Sequence, residues 1–276
     1  MIRRRLFTAA LVAATALALT FLVLPLLAIF LRVPPGDLLS QLGSDVVADA
    51  IVVTAKATLL SQALILLVGT PMAYLVATRS FRGRSLVITL VELPLVLPPA
   101  VAGIALLATF GRLGLLGGTL EAFGVTVALT QAAVVLAVTY VASPFYLRQA
   151  IAAFESLDPT LLDASRTLGA GPGRTFFRIA VPLASSGLAA GVALSFARGI
   201  GEFGATIMFA GSLQGVTQTL SLAVYAQLNL NRELALALGA LLIVLSAAIL
   251  FAAKLLPAWT RSLSTSLSLS ARSGSS

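Results

Sequence analysis

A chain of 276 residues that is 59% hydrophobic and only 10% charged, with a mean hydropathy of +1.04, has too little polar surface to cover a water-soluble core. It contains no Cys and no His, which excludes disulfides, thiol chemistry, His/Cys metal clusters and histidine acid–base catalysis. The net charge of +8 is not the footprint of a nucleic-acid partner, because the charges stand at the ends of apolar runs rather than along one face.

The chain opens with Arg3, Arg4 and Arg5 and then carries no charge from Leu6 to Leu31. That run fills the roughly 20 residues a bilayer core requires and exceeds the apolar core of a secretory signal, so a retained first helix is expected. Further apolar runs follow at Ala50–Val76, Leu86–Phe110, Val125–Phe145, Leu183–Ala210 and Leu234–Leu256. A helix satisfies its own backbone in lipid, so each run is expected to cross the membrane as one. The predicted fold class is therefore all-α, a polytopic membrane protein of about six transmembrane helices. The domain reading is a membrane domain over residues 1–260, followed by a Ser-rich tail, 261–276, that does not fold alone.

Lysines and arginines set the orientation. With the N-terminus in the cytoplasm, thirteen of them fall on that side (Arg3, Arg4, Arg5, Arg79, Arg82, Arg84, Arg148, Arg166, Arg174, Arg178, Lys254, Arg261, Arg272) and three on the other (Arg32, Arg112, Arg232). This asymmetry predicts a multi-pass protein of the inner (plasma) membrane with both termini cytoplasmic.

The runs are not purely lipidic. Lys56 lies in the second, and the sequence leaves open whether it sits at the outer mouth or pairs internally. Glu92 lies in the third beside Pro94, and reads as marking a kinked, packed region rather than a catalytic acid. Pro94, Pro98 and Pro99 cannot share one undisturbed helix, since each removes a donor and crowds the preceding turn; the bend is either a gating hinge or a static kink. In the fifth run Arg198 and Glu202 are four apart and are expected to pair along one helix face. Both are costly in lipid and should face protein or a water-filled path. A carboxylate facing a dianion in low dielectric repels it, so Glu202 is read as positioning helices or neutralising Arg198 in preference to touching an anion.

The long segment between the fourth and fifth runs, residues 148–182, is different in kind. Asp158 followed by Pro159 is a helix start, with a capping oxygen and then a residue lacking the orphan N–H. Leu161, Leu162, Ala164, Ser165 and Leu168 form a short apolar face, Asp163 and Arg166 are polar neighbours, and Gly169 is a natural stop. Such a helix is too short to span and suits a partner's groove.

Asp163-Ala164-Ser165, three residues, Gly169, nine residues and Ile179-Ala180-Val181-Pro182 resemble the EAA loop of ABC importer permeases, whose pattern is Glu-Ala-Ala, three residues, Gly, nine residues, Ile-x-Leu-Pro. The departures are Asp163 for Glu, Ser165 for Ala and Val181 for Leu. The stretches 195–211 and 217–225, with Leu93–Pro99, resemble molybdate/tungstate permease subunits, with sulfate permeases as near relatives. The resemblance covers about Ala50 to Tyr225.

That resemblance implies a coupling helix docked in an ATPase subunit, two permease copies as a homodimer, two ATPase subunits and an extracytoplasmic oxyanion-binding protein, working by alternating access. It implies no catalytic residue and no cofactor in this chain. No P-loop is present, and ATP and Mg would be bound by the partner ATPase. A sulfate/thiosulfate permease is the alternative within this class. A channel or secondary transporter would leave the EAA-like loop unexplained, and an intramembrane enzyme lacks a constellation, since Lys56, Glu92 and Glu202 show no catalytic spacing.

Overall fold

The computed structural model describes residues 2–32 and 34–273; the side chains of residues 2, 35, 37–39 and 253–273 lie outside that description. Helices account for all the regular structure among the described residues: α1 (Ile2–Arg32), α2 (Pro35–Leu42), α3 (Asp45–Thr78), α4 (Arg84–Val96), α5 (Pro99–Phe110), α6 (Gly117–Ala122), α7 (Gln131–Glu155), α8 (Pro159–Thr167), α9 (Pro172–Thr175), a π turn (Phe176–Ala180), α10 (Val181–Leu183), α11 (Ser185–Ile200), α12 (Gly204–Ala210), α13 (Leu220–Gln227) and α14 (Arg232–Ser273). Four of these are long and apolar enough to cross a membrane, or up to six spans if each bent pair counts as one. Of the Ser-rich tail, 261–276, the backbone of residues 261–273 continues α14, and residues 274–276 lie outside the described residues.

α7 is the hub. It packs on α3 and α11 along its length, with α4 against its C-terminal half and α5 and α12 against its N-terminal half. The contacts are close because small residues stand at the crossings. A Cβ on Gly69 would meet Leu147 and Tyr146 at 3.1 and 3.3 Å, and one on Gly199 would meet Val138 at 2.9 Å. Buried hydroxyls tie the same helices: Ser61 Oγ donates to the Val135 carbonyl at 2.8 Å, and Ser195 Oγ donates to Gln62 Oε1 at 2.9 Å. By contrast α1 buries almost nothing and touches the bundle at α14, so its apolar circumference is left for lipid or another chain.

Three sequence expectations are corrected here. The fourth span is α7 and runs through Glu155, so Arg148 to Glu155 belong to its last two turns rather than to the loop. Tyr146, Leu147, Ala150, Ile151 and Phe154 keep one face buried past the point where the apolar run stops. The third run is not one kinked helix: α4 and α5 meet at 114° around Leu97 and Pro98, where Pro98 and Pro99 supply no N–H to continue the α4 ladder. α4 begins beside the C-terminal end of α7, where Arg84 pairs with Glu155, and α5 packs along the opposite half of α7. The fifth run likewise breaks after Ile200, with Gly201, Glu202 and Phe203 separating α11 from α12.

Candidate coupling loop and translocation path

The segment after α7 builds the short helix the sequence calls for. The Asp158 carboxylate accepts the Thr160 N–H at 2.9 Å, and Pro159 occupies the first turn. Hydrogen bonds from the Thr160 backbone and side chain hold the Asp158 carboxyl below its ordinary value, since they favour the charged form. At the other end Gly169 takes φ +82°, its N–H donates to the Arg166 carbonyl, and the Ala170 N–H donates to the Ser165 carbonyl, both at 3.0 Å. This pair of bonds is a Schellman stop, and its left-handed residue is why glycine stands there.

The apolar face splits into two. Leu162 and Ser165 turn inward; Leu162 joins the core with Phe154 and Ala180, and the Ser165 hydroxyl shares a hydrogen bond with Thr175 at 3.0 Å. Leu161, Ala164 and Leu168, at positions i, i+3 and i+7, form an outward stripe, with Leu168 88% exposed. The single face expected from sequence is thus divided between anchorage and display. Asp163 stays at the surface and pairs with Arg166 at 2.9 Å. Downstream, Pro182 has no N–H for the Arg178 carbonyl, and the backbone widens into the π turn just before it.

Glu92, expected to mark a kinked, packed region, is partly exposed on α4 and pairs with Arg148 of α7 at 3.2 Å, while Arg84 pairs with Glu155 nearer the C-terminal end of α7. Two ion pairs of opposite order therefore join α4 to α7. Arg148, read from sequence only as an orientation marker, becomes a path candidate; the buried periodicity of residues 146–154 was the signal that places it in a helix.

Arg198 and Glu202 do pair, Nη2 to Oε2 at 2.7 Å, but not along one helix. Glu202 sits in the break, 2% exposed, and its Oε1 accepts the Ala205 N–H at 2.7 Å. The carboxylate thereby satisfies an open donor at the start of α12 while its other oxygen faces the guanidinium, with no hydrogen bond aligned on Oε2 among the described residues. Lys56 is exposed on α3 and has no ion pair among the described residues. Pro94 lies within α4, with Pro98 and Pro99 at the start of α5.

Residues 66–262 match the family described as binding-protein-dependent transport system inner membrane component, and the chain belongs to that family. Among its relatives, the molybdenum transport system permease protein ModB of Mycobacterium tuberculosis is 43% identical over 231 residues, 83% of this chain and 87% of that protein. ModB of Escherichia coli (strain K12) is 40% identical over 178 residues, 64% of this chain and 78% of that protein. A chain of the bacterial alginate ABC transporter, crystallised with its alginate-bound periplasmic protein, shares the fold at a TM-score of 0.69 and 19% identity, over 91% of this chain and 93% of that one.

Proposed function

We propose that this chain is the membrane-spanning permease subunit of an ATP-driven ABC importer for molybdate and tungstate. The observation that carries this reading is 43% identity to proteins named as molybdenum transport permeases, sustained over 83% of the chain. In the reading, two copies form the pathway, with both termini cytoplasmic, and an extracytoplasmic binding protein delivers the oxyanion. Two ATPase subunits, which bind the ATP and Mg, close on nucleotide and pull on α8. The outward stripe of Leu161, Ala164 and Leu168 is the surface offered to them, and the inward anchor at Leu162 passes the movement to α7 and the segment through Ala180. Coupling then requires only that each ATPase state favour one permease conformation over the other.

Copurification tests the class. Expressed with the ATPase and binding protein of its own system, the tagged chain is expected to retain the ATPase stably in detergent. A chain that conducts oxyanion alone and retains no ATPase would instead be a channel or secondary transporter.

A further inference from the structure

Arg198 and Arg148, on two helices that pack together, each pair with their own carboxylate, Glu202 and Glu92. A guanidinium or carboxylate exposed within a span cannot face acyl chains, so its open side faces a water-filled path or protein. Arg198 is 28% exposed while the Glu202 side chain is 1% exposed, so the cation is the open member of the pair. Arg148 and Glu92 are more open, at 61% and 40%. Arg198 lies seven residues, two helical turns, beyond Gly191 on nearly the same face of α11, and a Cβ on Gly191 would meet Gln149 and Tyr146 of α7 at 3.1 Å. Arg148 is the neighbour of Gln149, so the helix positions of the two arginines lie about 10 Å apart along the axis, with Arg148 nearer the C-terminal end of α7.

Resting on the oxyanion-importer reading, we propose that Arg198 and Arg148 are successive contact points for the tetrahedral dianion, each attenuated by its carboxylate, Glu202 and Glu92. A bare arginine in a low-dielectric passage would hold a dianion too firmly to release it. A pair of nearly zero net charge still presents N–H donors but binds weakly, and conduction needs sites weak enough to leave. The carboxylates are positioning residues; the arginines touch the anion.

The test uses Glu202→Gln and Glu92→Gln in the full complex of permease and ATPase. Glu202→Gln keeps an oxygen for the Ala205 N–H and removes only the charge, whereas Arg198→Gln would leave a buried carboxylate unpaired and is avoided. Radiolabelled molybdate binding to the detergent-purified complex without binding protein, and ATP-driven uptake in proteoliposomes with it, are measured on each variant. Each neutralisation is expected to tighten binding and slow uptake by about tenfold, since unmasking a cation strengthens ground-state attraction. Binding unchanged in both variants, whatever happens to uptake, would overturn the inference and leave the carboxylates as structural ties. A wild-type complex that neither binds nor carries molybdate would overturn the functional reading itself, a distinguishable failure.

Discussion

Replacing Gly103 with valine is expected to prevent the folded permease from assembling. A Cβ at Gly103 would stand 2.6 Å from the Ala205 carbonyl oxygen, 2.8 Å from Met208 Cβ and 2.9 Å from Ala205 Cα. Two of those three atoms are backbone, so no rotamer change relieves the clash and α5 must move off α12. The neighbouring crossing is equally tight, since a Cβ on Gly204 would meet Pro99 Cβ at 2.7 Å. Overpacking at such a site costs about 1–3 kcal/mol or more, and valine adds branching beyond the first carbon. Because α5 and α12 are half-helices following breaks, neither has a long continuous ladder to hold it in place once the contact fails. Thermal unfolding of the detergent-purified protein should show the loss as a lower melting temperature or no monodisperse peak. Gly118→Val, where a Cβ meets nothing within 4 Å, should behave as wild type. Equal stability of the two variants would show that α5 and α12 do not pack as described.

The second large effect falls on α8. Ala164→Arg combined with Leu168→Asp alters two exposed residues of the outward stripe and leaves the inward anchors Leu162 and Ser165 in place. The variant is expected to fold and insert normally, since surface changes away from buried contacts typically cost within about 0.5 kcal/mol. It should nevertheless lose the ATPase in copurification and lose nucleotide-dependent uptake by at least about tenfold, because a charged group must be desolvated to enter a groove. Leu162→Asp should look different, with the loop itself disordered and the core around Phe154 opened. Wild-type uptake by the stripe variant would move the docking surface elsewhere.

The short helix after α7 was legible because its signals are local. Asp158 and Pro159 start a helix, Gly169 stops it, and the spacing to Ile179 and Pro182 is a matter of counting. What was not legible is which side of that helix meets the body, because Leu161 and Leu162 are equally apolar and only the packing of Phe154 and Ala180 separates them. The long spans α1, α3 and α14 were also plain, since continuous apolar runs of that length admit few alternatives.

The broken spans were only partly legible. Hydropathy is continuous from Leu86 to Phe110, and the prolines announce an interruption without its angle, which is set by α5 seating against α12. The break at Glu202 had still less local signal. A helix running through Arg198 and Glu202 satisfies the i, i+4 rule, and only the tertiary contacts of Gly204 with Pro99 and of Gly103 with Ala205 explain why the chain turns there. The pair was anticipated; the N–H that Glu202 also satisfies was not, because it belongs to the helix the break creates.

The most direct test of the central claim is uptake of radiolabelled molybdate into proteoliposomes holding this chain with its ATPase and binding protein. ATP-dependent accumulation that tungstate abolishes and sulfate leaves intact is the expected result. Accumulation that proceeds equally without nucleotide would contradict an ATP-driven importer, and uptake of sulfate in place of molybdate would contradict the proposed substrate.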